Sequence, residues 1–131
     1  MKNSVKTLAL ILVALFTLSS STYASPSSDK AVEKAQSVVD DASPDDWKTL
    51  ATQANVLLRK KKGLSEAKSW LEQSIDIHEA PYNLEIMGDY YAMNNLPDQA
   101  KQYYIRSINK MMEKDITANA KELQNKILAL D

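Results

Sequence analysis

The chain has no cysteine, one histidine, two glycines and four prolines among its 131 residues. Without cysteine it can form no disulfide, no thiolate metal site and no thiol nucleophile. A single histidine leaves no pair of imidazoles to bind a metal ion. The scarcity of glycine and the lack of alternating runs of β-branched residues argue against strands. The apolar residues instead recur at helical spacing, which predicts an all-α protein.

The N-terminal segment has the layout of a secretory signal peptide. Lys2 and Lys6 precede an apolar run over residues 8–18, and small residues stand three and one positions before a cut after Ala24. The run is shorter than the roughly 20 apolar residues needed to span a membrane. We therefore predict a signal peptide over residues 1–24 and export to the periplasm or beyond. With no cysteine after the cut, a membrane would be reached only through a partner.

The net charge of the exported chain is mildly acidic. Residues 1–24 hold two of the sixteen basic residues and none of the seventeen acidic ones, which leaves fourteen basic residues against seventeen acidic. Nucleic-acid binding draws its affinity from neutralised phosphates, so this balance argues against it. The remaining length is enough for one domain with its own core.

Six helices joined by short turns are predicted. Residues 25–43 should contain a disordered start and an N-terminal cap helix over about 28–42. Ser43 is expected to cap the second helix, with Pro44 in its first position and Gly63 at its end. Three further helices follow over 65–77, 81–93 and 97–113. The fifth helix could fuse with the sixth, which is the terminal helix. The terminal helix should bury Ile116, Ala120, Leu123, Ile127 and Leu130 on one face.

The second and third helices share a pattern with the fourth and fifth. Leu84, Met87, Gly88 and Tyr91 align with Trp47, Leu50, Ala51 and Ala54, and Ala100, Tyr104 and Ser107 align with Ala67, Leu71 and Ser74. This pattern resembles the tetratricopeptide repeat and, more loosely, Sel1-like repeats. The resemblance implies a short α-solenoid of antiparallel helix hairpins over residues 44–131, with about two repeats and flanking cap helices. Residues 114–131 could be a cap or a third, degenerate repeat.

The resemblance also implies a binding groove, because the first helix of each tetratricopeptide repeat lines the concave face. Tyrosine is enriched at interfaces, which favours this face as a partner site. The alternative is that Tyr82 and Tyr90 only pack against a cap helix. By repeat register the groove comprises Lys48, Thr52, Asn55, Tyr82, Glu85, Asp89 and Ala92.

The residue pattern predicts no enzyme, no cofactor and no metal site. Glu85 and Asp89 lie four apart on one helix face, but no nucleophile or second base accompanies them, and His78 falls in a turn. The basic run over residues 59–62 is either a solvated helix end or a contact for anionic lipid or an acidic partner. The expected function is non-enzymatic binding of a protein partner in the cell envelope. The alternative is a structural accessory subunit of a larger envelope complex.

Overall fold

The computed structural model describes residues 29–130. Within that range the chain forms six helices and no strand, so the all-α prediction is confirmed. No helix among these residues is long and apolar enough to cross a membrane. The predicted signal peptide and the segment 25–28 lie outside the described residues. The helices are α1 (Lys30–Asp40), α2 (Trp47–Lys60), α3 (Leu64–Ile77), α4 (Pro81–Met93), α5 (Pro97–Lys114) and α6 (Lys121–Leu128).

The start of α2 differs from the prediction. Asp46, not Ser43, is the N-cap: its Oδ1 accepts from the Thr49 backbone N–H at 2.9 Å. Its Oδ2 accepts from the Thr49 hydroxyl at 2.7 Å. Ser43 forms a turn instead, its carbonyl accepting from the Asp46 N–H at 2.9 Å. A carboxylate at a helix N-terminus accepts hydrogen bonds from the free N–H groups and also interacts favourably with the helix dipole. Asp46 is therefore a better cap than Ser43.

The connection between α5 and α6 also departs from the prediction. Asp115 ends α5 in extended backbone, and its Oδ1 accepts from both the N–H and the hydroxyl of Thr117, at 2.9 and 2.7 Å. This local turn keeps α5 and α6 separate. Ile116 lies within it and is 79 % exposed, so its assignment to an apolar helix face was wrong. Ala120 and Leu123 are buried as expected.

Each helix packs against the next along the chain, and α2 also packs against α4. The largest apolar cluster joins α1 to α4 and includes the fully buried Leu57 and Leu71. A smaller cluster of Ala100, Tyr104 and Leu123 joins α5 to α6. Tyr91 packs against both clusters and therefore connects the two halves of the core.

Helices α4 and α5 pack tightly at Gly88. A Cβ atom added there would lie 2.5 Å from Cδ1 of Tyr104, so the tyrosine ring occupies the space that any side chain would need. Ala100, on α5, is completely buried. Small residues at this crossing allow the two helices to pack closely.

The same hydrogen bond closes both helix pairs. The Ser74 hydroxyl on α3 donates to the carbonyl of Trp47, the first residue of α2, at 2.7 Å. The Ser107 hydroxyl on α5 donates to the carbonyl of Pro81, the first residue of α4, at 2.8 Å. Both serines are fully buried. A hydroxyl thus satisfies one helix-start carbonyl in each pair and fixes where the following helix lies.

Candidate partner-binding clefts

The predicted groove residues line two clefts that share Tyr82. The first, here the inner cleft, lies between α2, α4 and α6 and has a volume of about 470 Å³. Its lining includes Asn55, Tyr82, Glu85, Asp89, Ala92 and Lys126. Five of the seven predicted residues therefore come together in this one cleft.

The second, here the end cleft, lies where α2 and α4 begin and where α3 and α5 end. It is larger, at about 850 Å³. Its lining includes Trp47, Lys48, His78, Pro81, Tyr82 and Lys114. Lys48 is thus separated from most of the predicted groove and lies in the end cleft with Tyr82.

Tyr82 forms the boundary between the two clefts. Its side chain is 37 % exposed. Its hydroxyl lies 3.5 Å from the Thr52 hydroxyl, which places the remaining predicted residue beside the boundary. One aromatic ring is therefore available from both sides.

Glu85 and Asp89 are engaged by a lysine that the sequence did not single out. Lys126 Nζ on α6 lies 2.7 Å from Glu85 Oε1 and 2.8 and 3.0 Å from the two carboxylate oxygens of Asp89. The Tyr104 hydroxyl donates to Asp89 Oδ1 at 2.7 Å. In the sequence Lys126 stands next to a residue of the apolar face of α6, at a position where a lysine is normally solvated. Nothing in the sequence around it therefore predicts this contact. The acidic pair therefore holds α6 against α4.

These contacts shift two pKa values upward. Burial by itself opposes the charge of Lys126, but the hydrogen bonds to Asp89 and Glu85 outweigh it and raise the lysine pKa. Burial, followed by the hydrogen bond to Asp89, raises the pKa of Tyr104 far above its usual value. Lys126 therefore stays charged and Tyr104 stays neutral, which is the state that the contacts require.

The end cleft combines an aromatic wall with a basic rim. The rings of Trp47 and His78 lie with their centroids 5.0 Å apart and tilted by 42°. Three lysines and two glutamates line the cleft, and both glutamates are paired. Glu79 binds Arg106 at 3.1 Å, and Glu113 binds Lys110 at 2.8 Å.

Three fully buried polar side chains fix the backbone of the end cleft. Ser74 and Ser107 bind the carbonyls of Trp47 and Pro81, as described above. Asn83 Nδ2 donates to the His78 carbonyl at 2.8 Å and to the Ser74 hydroxyl at 2.9 Å. Asn83 Oδ1 accepts from the Ala80 N–H at 3.0 Å. The backbone of the cleft is thus held in place by buried hydrogen bonds whose side chains do not line the cleft.

Three tyrosines, two on α4 and one on α5, form an aromatic cluster. Tyr90 packs edge-on against Tyr91, with ring centroids 5.3 Å apart. Tyr91 stacks on Tyr103 at 5.4 Å, and the Arg106 guanidinium lies 4.9 Å from the centre of the Tyr103 ring. Tyr90 packs against the main apolar cluster, whereas Tyr82 lines both clefts.

The basic run at the end of α2 is divided among several roles. Arg59 lines the inner cleft, Lys61 adopts a left-handed conformation that ends the helix, and Lys62 binds Asp29 at 3.0 Å. The Lys62–Asp29 pair joins the start of α1 to the end of α2. The run is thus partly used inside the molecule.

Among residues 29–130, no cluster of three or more histidine or acidic side chains could hold a metal ion. Comparison with known proteins finds no matching family model, no matching curated protein and no matching solved structure.

Proposed function

We propose that this protein is a non-enzymatic interaction module of the cell envelope. It binds a segment of a partner protein along the surface formed by the inner cleft, Tyr82 and the end cleft. It is exported by the signal peptide over residues 1–24 and acts in the periplasm or outside the cell. The observation that carries the proposal is the convergence of Asn55, Tyr82, Glu85, Asp89 and Ala92 on one open cleft.

We further propose that the helices form two tetratricopeptide-like hairpins in a short α-solenoid. The pairs are α2–α3 and α4–α5, and α1 and α6 act as caps. Two observations support this arrangement. The serine-to-carbonyl hydrogen bond recurs at the same place in both pairs. In addition, α2 contacts α4, as the first helices of successive repeats do.

A binding role is favoured over catalysis by the state of the acidic pair. Glu85 and Asp89 both accept hydrogen bonds from Lys126, and Asp89 also accepts from Tyr104. A general base must be free to take a proton from a substrate. These two carboxylates instead serve a structural contact between α4 and α6.

Site-specific photo-crosslinking tests the binding surface. A photoreactive phenylalanine analogue is placed at Asn55, in the inner cleft, and the protein is irradiated in its own envelope fraction. The control carries the analogue at Ile105, which is 44 % exposed on α5 and lies outside both clefts. We expect a discrete crosslinked partner from position 55 only. Equal labelling from both positions, or from neither, contradicts the proposal.

The accessory-subunit function is a second candidate, favoured by exposed apolar residues near α6. Leu128 is 71 % exposed and Ile116 is 79 % exposed. A permanent partner would cover such residues. Light scattering during size-exclusion chromatography distinguishes the two functions: a stable monomer with no co-purifying protein supports the transient module, and a stoichiometric complex supports the subunit.

A further inference from the structure

The charges available to a partner differ between the two clefts. Glu85 and Asp89 are the acidic residues of the predicted groove, and they would favour a basic partner. Lys126 pairs with both of them, so neither carboxylate is free to bind a basic group, and one negative charge is left on the three side chains together. Building on the proposed function, we infer that the end cleft binds an acidic segment of the partner protein. An aromatic or aliphatic side chain of that segment lies against Trp47, His78 and Tyr82.

The unpaired charges of the end cleft are cationic. Among the described residues, neither Lys48 nor Lys114 forms an ion pair, whereas both glutamates of the lining do. Asp46 is the acidic residue that interacts with the charge of Lys48. The Thr49 hydrogen bonds lower the pKa of Asp46, and the charge of Lys48 adds to that effect, but both carboxylate oxygens are already bound to Thr49. Two lysines therefore remain for carboxylates of a ligand.

The inner cleft does not offset this charge at the same place. Counting pairs within residues 29–130, its lining has one acidic residue without an ion pair, Glu122 on α6, and one such basic residue, Arg59 on α2. Neither lines the end cleft. The inner cleft therefore has a net charge of −1 and the end cleft a net charge of +1, which directs the acidic part of a ligand to the end cleft.

The aromatic side chains of the end cleft favour a ligand that has an apolar side chain as well as carboxylates. Trp47 and His78 present a tilted ring pair, and Pro81 and Tyr82 extend this surface. Aromatic surface at an interface contributes mainly by excluding water from an apolar contact. A ligand with carboxylates alone would leave that surface wet, so the segment must also carry an apolar side chain.

Selection from a display library of short random peptides tests this assignment. The library is selected on the wild-type protein, on K48Q/K114Q, and on the control K34Q/K121Q, which removes two exposed lysines outside both clefts. We expect peptides rich in Asp and Glu with at least one aromatic or aliphatic residue. Their affinity should fall by about tenfold or more in K48Q/K114Q and stay unchanged in the control.

The tryptophans provide a direct readout of the site. Trp47 lines the end cleft and Trp70 is buried in the main cluster, so Trp70→Phe leaves Trp47 as the sole tryptophan, which is excited selectively over the tyrosines. A selected peptide should change this emission saturably. The same peptide with Asn and Gln in place of Asp and Glu should bind at least about tenfold more weakly, and added salt should weaken the acidic peptide.

Each contrary outcome overturns the inference. These outcomes are an absence of enriched peptides, enrichment of basic peptides, equal binding of the amide peptide, and equal losses in the two lysine variants. The proposed function is tested separately. If crosslinking from Asn55 persists while the lysine variants bind normally, the interaction module stands and only the acidic ligand is ruled out. If position 55 gives no specific crosslink, the interaction module itself is contradicted.

Discussion

Gly88 is the residue at which substitution should be most sharply limited by space. A Cβ atom would lie 2.5 Å from the Tyr104 ring, which is itself 2 % exposed and unable to move aside freely. Alanine improves helix propensity over glycine by about 1 kcal/mol. Overpacking costs typically about 1–3 kcal/mol. We therefore expect Gly88→Ala to lower the free energy of unfolding by up to about 2 kcal/mol in urea denaturation.

A double-mutant cycle separates the clash from other effects of the substitution. In a Tyr104→Leu background, the ring that meets the new methyl group is absent. Gly88→Ala should then be neutral or stabilising, because only the gain in helix propensity remains. The same loss in both backgrounds would mean that the Tyr104 ring is not what limits residue 88.

Tyr104 and Lys126 give stability a defined alkaline limit. Both side chains have raised pKa values, so the folded protein keeps their protons above pH 10 while the unfolded chain loses them. The folded state then binds more protons than the unfolded state, and the free energy of unfolding falls as pH rises. We expect a decline of up to about 1.4 kcal/mol per pH unit from Tyr104 above about pH 10, and Lys126 adds to it above about pH 10.5 until its raised folded pKa is reached.

Urea denaturation between pH 8 and pH 11 measures this decline. Tyr104→Phe keeps the ring against Gly88 but removes the titrating hydroxyl, so its free energy of unfolding should fall less steeply. Tyr82→Phe, at a tyrosine that is 37 % exposed and lies outside the aromatic cluster, is the control and should follow the wild type. Parallel pH profiles for wild type and Tyr104→Phe would contradict the assignment.

At the scale of elements, α6 packs least extensively against the other described helices. It has eight residues, and Leu123 is its one buried side chain. The Lys126 contacts with Glu85 and Asp89 join it to α4. We expect Lys126→Met to cost about 1–2 kcal/mol, because two carboxylates four residues apart would face each other without a cation.

Hydrogen exchange locates that loss. The backbone amides of α6 should exchange faster in Lys126→Met, while those of α2 and α3 stay protected. Lys121→Met makes the same chemical change at an exposed position of α6 and should leave exchange unaltered. Uniformly faster exchange across all helices would contradict a local role for Lys126.

Some helix boundaries can be predicted from the sequence and others cannot. Apolar spacing predicts α3 and α4 closely, because Pro81 and Gly63 give unambiguous boundaries. The start of α2 is mispredicted because Ser43 and Asp46 are both acceptable caps. Their competition is decided by Thr49, which supplies two donors to the carboxylate. Ile116 is misplaced because the turn at Asp115 involves no glycine or proline.

The clefts are predicted less completely than the helices. Repeat register identifies the α2 and α4 positions, because it fixes which side of a helix each residue occupies. Repeat register does not identify Lys126 and Asn83, because their hydrogen-bond partners are 37 and nine residues away in the sequence. Such pairs are set by the packing of helices rather than by spacing along one helix.

At the scale of the whole molecule, Tyr91 is the joint between the two apolar clusters. With this ring in place we expect a single unfolding transition. Tyr91→Ala should remove several kcal/mol, about 3–5 for a large aromatic side chain, and separate the clusters. Both tryptophans lie in α2 and α3, so tryptophan fluorescence reports on one half and far-ultraviolet circular dichroism on the whole chain.

The measurement is the agreement of these two signals during urea unfolding. In Tyr91→Ala the fluorescence midpoint and the dichroism midpoint should differ, whereas in wild type they should coincide. Tyr90→Ala is the control, because Tyr90 packs against the main cluster alone. Coincident midpoints in Tyr91→Ala would contradict the role of this ring as the joint.

The buried serines and asparagine behind the end cleft have a calorimetric consequence. Ser74, Asn83 and Ser107 fix the backbone of the cleft from within the core, so its shape does not depend on a ligand. A ligand that enters a prearranged site needs little ordering of the protein. The heat capacity change of binding should then reflect only the aromatic and aliphatic surface removed from water, and remain small and negative.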